Sequence, residues 1–293
     1  MNAKKKRIDR TIALLTAVVM IPLLIPLRKS IPFFLSFSHL DGRCQSFTGS
    51  KQANGKKMEG AFLKKEKYFL RKFKWLGVSK KQRETIFYLY EKDIKKEIKS
   101  FGVPHGQKSP LFIKKKGYMQ FAPDQYIINY KQIFQRNREY FPALTSALLL
   151  SSELLPGGDP LFEFLFFVQQ IPFKLPPKFY EGRFINSFFT PLICLYEKYG
   201  DCDTKSLLLA EFLDTSKDAK GKVAIVLADY FGTSHSILAI NRKPLPGMTT
   251  LYHPQKGYFI PLETSAPGWS PGFLSKNVTD LFQRGHVFFI DLN

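Results

Sequence analysis

Hydrophobic positions divide the chain into three patterns. Thr11 to Leu27 carries no charge and is closed by Arg28 and Lys29. A helix of about 17–25 apolar residues crosses a bilayer, and Pro22 and Pro26 are tolerated in one, so the run predicts a membrane span. Between Lys51 and Arg138 the apolar residues Phe69, Phe73 and Leu76, then Ile86, Leu89 and Tyr90, then Ile94 and Ile98 recur at three- and four-residue spacing among lysines. That spacing predicts amphipathic helices. Residues 102–110 and 117–123 read as loops, and the Ser, Gly, Lys and Asn scatter around 46–60 as a flexible linker. Beyond the apolar stretch Ala143 to Leu150, a helical pattern starts at Leu207. Lys222 to Phe231 has the character of a buried strand, and residues 232–234 make a turn. His235 to Ile240 opens a second strand, and Tyr258 to Thr264 gives a third that ends in a carboxylate.

Charge sharpens these divisions. The chain has 293 residues, 44% of them hydrophobic, and a formal net charge of +20. That length suits one large domain or two small ones. Residues 1–138 hold 31 Lys+Arg against 9 Asp+Glu, a net of +22, whereas 139–293 hold 13 against 15, a net of −2. The expected organisation is an anchor with its cytoplasmic tip (1–29), a basic, mostly helical accessory region (30–138) and a compact domain (139–293). Lys4, Lys5, Lys6 and Arg7 precede the apolar run, so the positive-inside tendency keeps the N-terminus cytoplasmic and sends the rest across as a single-pass protein. A cleaved signal peptide is the rival reading, but no small-x-small site directly follows the run, which favours an uncleaved signal-anchor. The basic region has no recognisable nucleic-acid motif, and an exported chain does not meet nucleic acid. Its expected partner is an anionic lipid surface or cell-wall polymer; the plainer reading is a solvated lysine-rich face.

Candidate chemistry is concentrated in Tyr199-Gly200-Asp201-Cys202-Asp203-Thr204-Lys205-Ser206-Leu207. A turn glycine, a short acidic residue able to cap and then a cysteine at the first helical positions place a thiol where unpaired N–H groups and partial positive charge favour the thiolate. The other reading of Cys202 is a small buried hydrophobe. Asp201 and Asp203 read as capping or structural groups. The three cysteines, Cys44, Cys194 and Cys202, match no zinc spacing, and a Cys44–Cys194 bridge stays open outside the cytoplasm. A nucleophilic thiol needs a base and an orienting group. His235, at the start of a strand beside a tight turn, is the best-placed base. His253 falls in a hairpin turn and is weaker, and His39, His105 and His286 lie in unpromising contexts. Glu263, at a strand end, can fix the imidazole tautomer as triads require.

Cys202 in G-D-C-D-T-K-S-L-L-L-A, His235 in S-H-S-I-L-A-I and Glu263 in Y-F-I-P-L-E-T-S resemble the three motifs of transglutaminase-like domains. Phe167-Val168-Gln169-Gln170-Ile171-Pro172-Phe173 and Pro191 are similar to that superfamily's upstream segments. The resemblance spans roughly 140–275. It implies a papain-like α+β fold, with the cysteine at the N-terminus of a core helix packed on an antiparallel sheet. It also implies roles: Cys202 as nucleophile, His235 as general base and acid, and Glu263 as orienting carboxylate. Gln169, or Gln170 one position on, would be an oxyanion donor beside the Cys202 N–H, and Trp269 would line the acyl pocket or pack a loop. No metal or cofactor is implied. Glu263 stands where Asp is usual, and Thr204 stands where many bacterial members have Asp. The implied substrate is a protein or peptide amide, with hydrolysis favoured by analogy, protein crosslinking as the alternative acyl transfer, and a non-catalytic cell-surface binding protein as the alternative class.

Overall fold

A computed structural model describes residues 66–292 except 108, 123–124, 153, 155–158, 217–221 and 231–232. The 11–27 run, the 46–60 linker and Cys44 lie outside these residues. Among the described residues, no helix is long and apolar enough to cross a membrane.

The described residues begin with strands β1 (Tyr68–Leu76) and β2 (Gln82–Tyr90), then helix α1 (Glu91–Ser100) and the short β3 (Val103–Pro104). Helix α2 (Pro110–Lys115), the ribbon β4 (Tyr118–Ala122) and β5 (Gln125–Ile128), and helix α3 (Tyr130–Asn137) follow. A 3-10 turn leads into α4 (Phe141–Ser151) and α5 (Pro160–Gln170). After β6 (Phe179–Tyr180) and β7 (Arg183–Phe184) come helices α6 (Pro191–Glu197) and α7 (Cys202–Thr215). The last third holds β8 (Lys222–Tyr230), β9 (Thr233–Asn241), β10 (Leu251–His253), β11 (Gly257–Leu262), α8 (Lys276–Arg284) and β12 (His286–Asp291).

An antiparallel sheet ordered β10-β11-β9-β8-β12 is the platform of the fold. Val223, Ile225, Leu238 and Ile240 point into the cluster that holds the leucines of α7, while Ala224, Val226, Ile237 and Ala239 join Leu281 and Phe282 of α8. Both faces of β8 and β9 are therefore covered, which is why these strands read as unbroken apolar runs instead of alternating. Helix α7 is buried on nearly every side, from Thr204 to Leu213, and Lys205 and Ser206, polar residues that this places inside, are hydrogen-bonded there. The architecture is α+β with antiparallel sheets.

The basic segment differs from its predicted helices. Residues 68–76 and 82–90 form an antiparallel hairpin in which Arg83, Thr85, Phe87 and Leu89 are buried at every second position. Period-two burial of aromatic and β-branched residues is strand chemistry, and the three- and four-residue spacing of Phe69, Phe73 and Leu76 is incidental to it. Residues 118–122, expected as loop, pair as β4 with β5. Ile94 and Ile98 do lie on a helix, α1. Charge changes at residue 138 but packing does not. Phe73, Trp75 and Phe87 meet Phe167 of α5 edge-on at 5.5, 5.8 and 5.8 Å, and Phe167 meets Phe212 of α7 at 5.8 Å.

Candidate active site

Cys202 owes its position to local backbone chemistry. Lys198, in the left-handed region at φ 64°, ends α6, and the chain turns through Tyr199 and Gly200. Gly200 runs beside the segment after α5, donating to the Pro172 carbonyl at 3.2 Å and accepting from Lys174 N at 3.1 Å. A Cβ at residue 200 would stand 2.6 Å from Thr204 Cγ2 and 3.1 Å from Cys194 Sγ, so this close approach requires glycine. Asp201 caps α7: its Oδ1 accepts from Thr204 N at 3.0 Å and its carbonyl from Lys205 N at 3.0 Å. The N–H groups of Cys202 and Asp203 then have no acceptor within the helix and point out of its first turn. Cys202, 8% exposed, sits at that opening.

The other two groups come from neighbouring strands. In the β11–β9 pair Leu262 faces Leu238. Continuing that antiparallel register carries the chain after Leu262 past the start of β9, where His235 is the third residue. His235 Nε2 lies 3.0 Å from Glu263 Oε2. The second carboxylate oxygen accepts from Ser265 N at 2.8 Å and Ser265 Oγ at 2.6 Å. Glutamate at this position thus reaches the imidazole. With Nε2 engaged, Nδ1 is the ring nitrogen left over, and Cys202 lies near enough to His235 for each to shift the other's protonation. His253 is elsewhere: its Nδ1 accepts from Gln255 N at 3.1 Å and its ring abuts Phe289.

Charge in the site departs from the expected low-pKa thiol. Burial and then the adjacent Asp203 carboxylate push the Cys202 thiol upward, outweighing the pull of His235. For His235, burial disfavours the imidazolium, but hydrogen bonds to Cys202 and Glu263 prevail and raise it to about 10. Glu263 is buried, which works against its charge, yet its bonds from His235 and Ser265 hold it below the ordinary carboxylate range. Burial and Asp203 together push Asp201 up to about 7. Burial brings the ammonium of Lys205 down to about 8.

The two glutamines are committed to scaffolding and not to an oxyanion. Gln169 Nε2 donates to the carbonyls of Glu263 at 2.8 Å and Trp269 at 2.7 Å, and its Oε1 accepts from Gly268 N at 3.1 Å. Gln170 Nε2 donates to the carbonyls of Leu76 at 2.9 Å and Phe166 at 3.0 Å, while its Oε1 accepts from Leu76 N at 2.8 Å. Both amides have their two hydrogens engaged, so neither has a donor left over. Trp269 enters the site's architecture through its backbone, and its side chain is half-buried.

Three contributors escaped the sequence reading. Ser265 locks the carboxylate. Lys205, fully buried, donates to the carbonyls of Gln169 at 3.0 Å and Ile171 at 2.8 Å and ties α7 to the end of α5. Its signal was available: a lysine two positions before the apolar run Leu207 to Ala210. Tyr130, from the basic segment, donates to Asp203 at 2.5 Å, and nothing in the sequence links the two. Compared with known protein families and with curated proteins, the chain matches none.

Proposed function

We propose that this chain is a cysteine acyl-transfer enzyme of transglutaminase-like, papain-like type that hydrolyses a protein or peptide amide. The observation that carries this reading is the His235 Nε2–Glu263 Oε2 contact at 3.0 Å, in an imidazole that also interacts with Cys202. His235 takes the thiol proton on Nδ1, and Cys202 Sγ attacks the amide carbonyl. The oxyanion lies toward the N–H groups at the start of α7. Collapse breaks the C–N bond, the amine leaves with the proton from His235, and a thioester remains. Water, deprotonated by His235, then attacks the thioester, releasing the acid and restoring the thiol. Residues 11–27 hold the protein in a membrane with the catalytic body outside the cytoplasm, and the basic segment faces the anionic surface there. Incubating the full chain with a peptide library and with a fluorescent amine tests the reaction. Cleaved peptides that vanish with Cys202→Ala are expected. Amine incorporation without cleavage would make it a crosslinking enzyme, and neither product would leave only a binding role.

A further inference from the structure

Asp203 is the charged neighbour for which the triad has no use. It is the second residue of α7, and its Oδ1 lies 3.7 Å from Cys202 Sγ, within hydrogen-bonding distance for sulfur. Its Oδ2 accepts from the Tyr130 hydroxyl. The Tyr130 ring is 6% exposed and wedged edge-on against Phe188 at 5.7 Å, so the carboxylate is held and not free to swing away. The thiol proton therefore has two candidate acceptors, His235 and Asp203. While its proton stays on sulfur and points at Asp203 Oδ1, Cys202 is an idle thiol, whereas a proton moved to His235 creates a thiolate that faces a fixed negative charge. We propose that Asp203, anchored by Tyr130, is a positioning residue that holds Cys202 in its thiol form and sets how alkaline the solution must be before the thiolate–imidazolium pair forms. The remaining titratable groups around the sulfur are Asp201, which caps α7, Lys205 on α7, Tyr130 on α3 and His235 on β9, with Glu263 bonded to the imidazole. Of these groups, Asp203 is the one whose carboxylate accepts a hydrogen bond from the thiol. Its anionic charge also pushes the thiol upward, second only to burial.

This inference rests on Cys202 being the nucleophile, and alkylation reads that thiol without any substrate. Iodoacetamide labelling of Cys202 in the full chain is followed by peptide mass spectrometry from pH 6 to 10. Asp203→Asn should lower the half-maximal pH by about one unit, making labelling at pH 7 about tenfold faster than in the parent. Asp203→Ser, which keeps a small polar group at the helix start, should move the same way. Tyr130→Phe keeps the carboxylate, so its half-maximal pH should not fall. If the parent and both Asp203 variants share one half-maximal pH while His235→Ala labels slowly, this inference fails and the triad stands. If Tyr130→Phe falls as far as Asp203→Asn, packing and not the carboxylate is responsible, and the inference also fails. If His235→Ala labels like the parent, the triad itself fails and takes the inference with it.

Discussion

Replacing Glu263 by glutamine keeps the side chain's shape and removes one charge. The carboxylate is 2% exposed and stands 3.0 Å from His235 Nε2. At an effective dielectric of about 20, the attraction between unit charges at that distance has a ceiling of about 5–6 kcal/mol. Hydrogen bonds to charged groups contribute about 1.5–3 kcal/mol, and this lower range is the relevant one because some attraction is offset by desolvation. A loss of about 2–3 kcal/mol is about 30- to 150-fold in the imidazolium–thiolate population. Geometry adds to this loss. Ser265 presents two donors to Oε1, so a glutamine there keeps its oxygen toward Ser265 and turns its NH2 toward His235. The imidazole must then carry its proton on Nδ1, where it faces the sulfur as a donor and cannot act as a base; an equivalent tautomer error in a serine triad costs about 10⁴ in rate. The assay is the plateau rate of Cys202 alkylation at alkaline pH alongside peptide hydrolysis. Glu263→Gln should lower both by at least about 30-fold with little change in thermal stability. A variant that labels at the parental rate with the parental pH profile would refute the orienting role of Glu263.

Gln169→Leu should destabilise the fold by about 2–4 kcal/mol in urea titration, because it strips partners from the Glu263 and Trp269 carbonyls and the Gly268 N–H. An oxyanion donor would instead lose about 10²–10³ in turnover with stability unchanged, and that outcome would overturn the scaffold assignment. Asp201, raised to about 7 by burial and Asp203, holds its proton in the folded state from about pH 4 upward, where an unfolded aspartate has lost it. Its contribution is therefore present at low pH and lost as pH rises toward 7. Relative to Asp201→Asn, the parent should lose up to about 4 kcal/mol of stability between pH 4 and 7, and a pH-independent difference in melting curves would contradict this. Turnover should climb from neutral into alkaline solution as the raised thiol gives up its proton, then fall as His235 deprotonates near 10. An optimum below pH 7 would show that the thiolate forms far more easily than its surroundings imply.

The site was more legible in the sequence than the fold around it. Cys202, His235 and Glu263 each lie beside a strong local signal, whether a capped helix start, a turn or a strand end, and such signals survive into the folded chain. The hairpin of β1 and β2 was missed because aromatic residues three and four apart satisfy a helical template while alternate residues also satisfy a strand, and tertiary packing on Phe167 decides between them. The role of Gln169 depends on which carbonyls lie within its reach, and spacing along the chain carries no such information. Tyr130 could not be found at all, since its link to Asp203 crosses 73 positions. The upward direction of the Cys202 thiol was likewise hidden: a helix N-terminus argues for a low value, and only the packed structure shows burial and a fixed carboxylate opposing it.

The coupling of Cys202 to His235 is the claim on which the enzyme reading stands. Its most direct test is the rate of Cys202 alkylation at pH 9 in the parent and in His235→Ala, quantified on the Cys202 peptide by mass spectrometry. If His235 accepts the thiol proton, the substitution should slow labelling by about 10²-fold while leaving the chain folded. Equal rates in two folded proteins would mean that the thiol ionises without the histidine, and the proposed acyl-transfer site would have to be abandoned.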